Sequence, residues 1–211
     1  MRVGVEAARF VIGDQGYRRL FARPGAQARS ADPAASGART LVRETPRGPL
    51  RAAIYFPDAM IARLEAHPPQ RGLGEANVDA FAALVEELDH LLCIAERAQA
   101  GRVISLFELE LHADVSKALV LARFLAGGSP RPIDVRRRTW LRFHLFHKGE
   151  WAGMDEDERQ RYRDAARWAL RLLDALDRSR PAARLDALRA FHAAPVSGKL
   201  ELIDRLAVRA A

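Results

Sequence analysis

A single cysteine, Cys93, stands in the 211-residue chain, which excludes an internal disulfide and any cysteine-rich zinc knuckle. It sits among Leu91, Leu92 and Ile94, the setting of a buried, inert thiol. No stretch reaches the roughly 20 apolar residues that a membrane helix needs. The opening MRVGVEAARFVIGDQGYRRLF lacks an apolar core followed by a small-residue cleavage site, so a cytoplasmic location and no membrane partner are expected. Isoleucine, threonine and tyrosine are scarce while alanine, leucine and arginine dominate, which favours helix over sheet. Lysine is rare as well: Lys117, Lys148 and Lys199 are three among 34 basic residues. The chain has no Gly-rich phosphate loop, no Gly-x-Ser-x-Gly elbow and no dinucleotide fingerprint, so kinase, serine hydrolase and dehydrogenase chemistry find no support.

The hydrophobic share of 49% and charged share of 29% are those of a globular chain. Its length suits one domain with a proper core. The net charge of +7 invites a nucleic-acid reading, but the arginines are scattered. The one tight cluster, Arg136-Arg137-Arg138, has no interleaved aromatic residues of the kind that stack on bases. A protein or peptide is the expected partner.

Along the chain, a short helix is expected within residues 1–22 through Phe10, Tyr17, Leu20 and Phe21. Residues 23–38, rich in Ala, Gly, Pro and Ser, read as a loop or flexible connection. The organisation is then an N-terminal helix with a flexible segment over 1–38 and a single mostly helical domain over 39–211. Thr40 to Glu44 and Leu50 to Phe56 flank Pro46-Arg47-Gly48-Pro49, the pattern of a β-hairpin. Pro57-Asp58 opens a short helix through Met60, Ile61 and Leu64.

A long helix follows from about Asn77 to Ala98. Phe81, Leu84, Val85, Leu88, Leu91, Leu92 and Ala95 define one apolar face, with Glu86 and His90 roughly opposite and Glu87 to one side. Ser105-Leu-Phe-Glu108 is a capping-box pattern that starts a second helix to about Ala126. This helix is apolar nearly all round, the mark of a buried element, with one polar stripe of Glu110, Asp114 and Lys117. Further helices are expected at Val135 to His147 and Asp155 to Asp177, then a C-terminal pair punctuated by Pro181 and Pro195. The fold class is mainly α with a small N-terminal β-hairpin.

Two segments carry chemistry, Glu86-Glu87-Leu88-Asp89-His90 and Glu110-Leu111-His112-Ala113-Asp114. The first reads as His-Glu-x-x-His with Glu86 in place of the leading histidine; the second fits Glu-x-x-Ala-Asp at every fixed position. Together they resemble the zincin metallopeptidases of the gluzincin branch, especially the heat-shock membrane proteases and the phage-repressor-cleaving peptidases. In that family two histidines on one helix face bind Zn²⁺ with a glutamate from the next helix, and the intervening glutamate activates the metal-bound water. The resemblance covers about 40 of the 211 residues. It implies a zincin-like helix pair in which Glu86, His90 and Glu110 are metal ligands, Glu87 is the catalytic base, and Asp114 supports His90 from outside the ligand set.

The replacement at Glu86 alters the chemistry. One histidine with two carboxylates is a harder, more anionic set than two histidines with one, and suits Mn²⁺ or Fe²⁺ better than Zn²⁺. It also acidifies bound water less. The expectation is therefore one divalent metal (Zn, Mn or Fe) in a degenerate site, with weak or absent peptidase activity and a role in binding or regulation; any enzyme here would be a metal-dependent hydrolase.

Two other readings use the same residues. The carboxylates form a plain solvated helix face in a metal-free interaction or regulatory domain, or Glu87-Leu-Asp-His90 supplies the Glu-x-x-His of a ferritin-like carboxylate bundle, aided by His144 and His147. The bundle lacks a second Glu-x-x-His. His144 and His147 by themselves are expected to pack near Trp140 and Phe143, Glu108 to serve the cap at Ser105, and His112 to be a hydrogen-bonded core histidine.

Overall fold

The computed structural model describes residues 7–21, 37–43, 50–127, 133–148 and 154–209. The mainly α class holds, with eight α-helices and one small sheet among the described residues. The sheet is β1 (Val11–Ile12), β2 (Arg39–Arg43) and β3 (Arg51–Tyr55), in the order β1-β3-β2. β2 and β3 pair antiparallel with Thr40 opposite Ile54, as the expected hairpin requires. Its turn at 46–49, and the connection over 22–36, lie outside the described residues.

The N-terminal region differs from the single helix expected. A 3-10 turn, Ala7–Phe10, leads into β1, and only then does α1 (Asp14–Phe21) begin. β1 runs parallel to β3, Val11 against Ile54, so this segment completes the sheet of the helical domain. Tyr55 donates a hydrogen bond to Asp14 Oδ1 at 2.8 Å, tying α1 to the centre of the sheet.

The helices then follow as α2 (Asp58–Ala66), α3 (Val78–Gln99), α4 (Leu106–Leu125), α5 (Val135–Arg142), α6 (Glu156–Arg178), α7 (Pro181–Ala193) and α8 (Val196–Arg209). Their starts obey side-chain chemistry. Ser105, Asp134 and Asp155 each accept a hydrogen bond from the backbone N–H three residues on. Pro181 occupies the first turn of α7, where a missing N–H costs nothing. The expected helix to His147 is α5 extended by a π-turn, Phe143–His147.

α4 is the central element. It packs against α3 on one side and α6 on another, and α6 in turn carries α8. Its all-round apolar sequence is explained by this position: Leu111 and Val115 face Ala169, Leu172, Phe191 and Ile203, while Leu121 joins Val78, Phe81, Val85 and Leu141. A third apolar cluster lies between the sheet and α3, built on Ile54, Phe56 and Leu91.

α3 is buried on two sides, not one. Its apolar side meets the sheet and α2, and its polar side meets α4, so Glu87, Asp89, His90, Cys93 and Arg97 are all buried. Leu92, expected on the apolar face, is instead 47% exposed. No described helix is long and apolar enough to cross a membrane.

This arrangement predicts a contrast between two leucines. Leu111→Ala removes a side chain with no exposed surface and should cost about 2–5 kcal/mol in urea unfolding. Leu92→Ala should stay within about 0.5 kcal/mol; a loss comparable to that of Leu111→Ala would restore Leu92 to the core.

Candidate metal centre

Between Glu86 and Arg97 of α3 and between Glu108 and Lys117 of α4, the interface is lined by charged and polar side chains. The two helices are joined by a short connection between Gln99 and Leu106. Residues advancing along α3 therefore meet residues retreating along α4. Glu86 pairs with Lys117, His90 with Glu110, and Arg97 with Glu108.

The three residues expected as ligands are brought together. Glu86, His90 and Glu110 offer one ligand atom each, all within 4.8 Å of one another. His90 Nε2 lies 3.7 Å from Glu110 Oε2 and is buried without a hydrogen-bond partner among the described residues. Two ligands about 2.1 Å from one tetrahedral ion lie about 3.4 Å apart, so the pair is spaced as an edge of a coordination polyhedron. Tyr162, from α6, hydrogen-bonds to Glu110 and closes the site from the third helix.

Glu87 and Asp114 occupy other places than the resemblance implies. Glu87 Oε2 lies 3.7 Å from His90 Nδ1, on the opposite side of the imidazole from Glu110. The same oxygen accepts a hydrogen bond from Thr40 Oγ1 at 2.8 Å, which links the sheet to α3. Glu87 is thus placed to orient the ring, the role expected of Asp114. Asp114 instead binds Lys117 Nζ at 2.9 Å. Lys117 Nζ also donates to Glu86 Oε2 at 2.6 Å.

The interior role of Lys117 is hard to see in the sequence, where it ends a polar stripe and, with Asp114 at i,i+3, resembles an ordinary exposed helix pair. The available signal was the stripe's position on a helix too apolar to be at a surface.

The electrostatics follow from burial. For Lys117, burial opposes the charge, but Glu86 and Asp114 outweigh it and hold the ammonium above its ordinary range. Burial pushes Glu110 up to about 7; Glu86 and Asp114 add to the rise, and His90 and Lys117 oppose it. Asp114 is also raised by burial, with Lys117 opposing. For His90, burial favours the neutral ring, but Glu87, Glu110 and Glu86 together raise its pKa. Four carboxylates thus share one ammonium and one imidazole, and the remaining negative charge is met by protons or by a cation.

Outside this cluster, Glu108 departs from the capping box. Ser105 accepts from the Glu108 backbone N–H at 3.1 Å, but the Glu108 carboxylate turns inward to Arg97 at 2.6 Å. Arg97 in turn donates to the Ala194 carbonyl at 3.1 Å, fastening the end of α7. His144 packs on Trp140 as expected and also meets Glu75 at 3.0 Å. His112 is hydrogen-bonded in the interface, as a core histidine should be.

No family model matches the sequence, and no curated protein or solved structure matches it.

Two predictions come from the charges. Glu110 and His90 both hold protons more tightly folded than unfolded, so the stability they contribute is fully present below their ordinary values and is lost as pH rises toward and through the folded ones. The chelator-treated protein should therefore melt progressively lower between about pH 5 and about pH 8. Glu110→Gln should flatten that slope; a slope unchanged in the variant would show that Glu110 does not titrate there. Lys117→Met leaves Glu86 and Asp114 without their cation and should cost about 3–5 kcal/mol in denaturant unfolding.

Proposed function

We propose that this chain is a zincin-like protein with a degenerate metal site, in which Glu86, His90 and Glu110 hold one divalent cation and hydrolysis is weak or absent. The observation that carries the reading is His90 Nε2: a buried ring nitrogen without a hydrogen-bond partner among the described residues, facing a carboxylate at coordination spacing. An unsatisfied buried ring nitrogen is costly, and a cation would satisfy it together with Glu110. A divalent ion would also offset the negative charge that Lys117 leaves uncompensated.

The donor set fits such an ion. Two carboxylates and one imidazole are hard and anionic, which favours Mn²⁺ or Fe²⁺ over Zn²⁺. Glu86 has a second oxygen besides the one that Lys117 holds, so the ammonium and an ion can share the carboxylate. When bound, the metal supplies Lewis-acid polarisation and a lowered water pKa. The chain's own residues support that chemistry poorly. Glu87, the base implied by the resemblance, faces Nδ1 and is engaged by Thr40. Tyr162 and Glu110 form the nearest proton-holding pair on the ligand side. This arrangement favours a protein that uses the site to bind or regulate.

Lys117 supports a second reading, a metal-free helical interaction domain. Its contact with Glu86 at 2.6 Å is an internal substitute for a metal. Thermal melts with Mn²⁺ or Zn²⁺ separate the two. Metal binding to the folded state alone raises the melting temperature by mass action. The metal reading expects that rise in the parent and its loss in Glu110→Gln. It also expects Glu86→His to bind Zn²⁺ more tightly than the parent, because imidazole suits Zn²⁺ better. No shift in the parent at saturating metal would leave the metal-free reading standing.

A further inference from the structure

One helical turn from His90, a different set of donors converges between α3, α4 and the end of α7. His112 Nδ1 lies 2.8 Å from Asp89 Oδ2, 3.0 Å from Asp89 Oδ1 and 3.3 Å from Cys93 Sγ. A ring nitrogen has one proton or one lone pair to offer, so three short contacts at one nitrogen oversubscribe it. On the other side of the ring, His112 Nε2 lies 3.0 Å from His192 Nδ1, and His192 Nε2 lies 3.0 Å from Glu96 Oε2. Stacking on Phe191 at a 14° interplanar angle fixes the His112 plane.

The line runs from Asp89 through His112 and His192 to Glu96. With a cation at His112 Nδ1, Nε2 would carry the N–H and donate to His192, and His192 would donate to Glu96. Histidine ligands ordinarily have such an acceptor behind them, which fixes the tautomer and the ring.

We propose that Asp89, Cys93 and His112 form a second metal site, independent of the one at Glu86, His90 and Glu110. Each offers one ligand atom, and the three atoms lie within 4.8 Å of one another. The Cys93 Sγ to Asp89 Oδ2 distance of 3.7 Å is close to the roughly 3.5 Å expected for sulfur and oxygen on one tetrahedral ion. The nitrogen contacts lie within about half an ångström of that geometry. Thiolate, imidazole and carboxylate together suit a borderline-soft ion, Zn²⁺ or Co²⁺, and discriminate against Mg²⁺ and Ca²⁺. Two anionic ligands also neutralise a divalent ion, which permits burial at Asp89 and Cys93.

The surroundings fit the assignment. Ser116 Oγ donates to Asp89 Oδ1 at 2.6 Å, leaving Oδ2 turned toward Cys93 and His112. Lys199, buried completely, donates to the Phe191 carbonyl at 2.6 Å and the His192 carbonyl at 3.3 Å, which fixes the backbone of His192. Burial, and then Asp89, push the metal-free thiol up, so Cys93 becomes a thiolate when a cation takes its proton's place.

Cobalt reads this site specifically, because only a thiolate ligand gives Co²⁺ an intense near-ultraviolet charge-transfer band. Titrating the metal-free full chain with Co²⁺ should produce that band with one equivalent. The band should survive Glu110→Gln, vanish in Cys93→Ser, and be displaced by Zn²⁺. His192→Gln, at a half-exposed position that does not threaten folding, should keep the band but weaken Zn²⁺ about 10–100-fold. No thiolate band in the parent at saturating Co²⁺ would overturn the proposal, whatever Mn²⁺ does at the other site. A band with Zn²⁺ affinity unchanged in His192→Gln would overturn the role given to His192 and Glu96.

Discussion

The ammonium of Lys117, held between Glu86 and Asp114, is the interaction on which the arrangement of α3 against α4 rests. Two helices packed through leucines tolerate some sliding, since apolar contact is non-directional. Charged pairs do not. A one-residue slip would strand Lys117, Glu110 and Glu108 opposite the wrong partners, each buried and unpaired. Removing one partner from such a pair costs far more than the pair itself contributes, so the seam specifies register more than it adds stability. The sheet above α3 and the α6–α8 layer beyond α4 are positioned through this seam. Thr40 reaches Glu87 from one side, and Tyr162 reaches Glu110 from the other.

The sequence carried much of this, unevenly. The burial of α4 was legible because its apolar residues leave no solvated face, and a lone polar stripe on such a helix requires a polar partner. That argument points to the Glu86–His90 segment, and the structure places His90 beside Glu110. The two-sided burial of α3 was not legible. A helix whose second buried face is polar gives the same periodic pattern as a surface helix, so the spacing places Leu92 on the apolar face and leaves the burial of Asp89 open. β1 escaped because two residues are too few to show alternation. The inward turn of Glu108 escaped because a capping box explains a glutamate three residues after a serine, and Arg97 lies eleven positions away in the chain.

The choice of cation is also informative. In a chain where arginine supplies nearly every positive charge, two of the three lysines, Lys117 and Lys199, are among the buried residues. Guanidinium is planar and suits a carboxylate approached edge on. A compact ammonium with three donors suits acceptors arranged around a point, which is the geometry at both positions. Lys117 meets two carboxylates from different helices; Lys199 meets two successive carbonyls at the end of α7 and Glu108 at 3.6 Å. Scarce lysines in an arginine-rich chain are therefore worth reading as possible interior charges before they are assigned to the surface.

The two donor sets on this seam differ in a way that bears on what the molecule can do. Glu86, His90 and Glu110 are adjacent to a permanent cation, so any ion there shares its carboxylate with Lys117 and works in a field already partly neutralised. Asp89, Cys93 and His112 have a histidine backed by a chain of contacts that runs through His192 to the half-exposed Glu96. The first set is hard, the second mixed in softness, and the two interleave along the helices, with His90 three residues before Cys93 and Glu110 two before His112. The rigidity that fixes the register also fixes Glu87. A hydrolytic centre needs a base aimed at the reacting water, yet Glu87 is held behind His90 by the sheet, and moving it forward would break the contact through which β2 is anchored to α3.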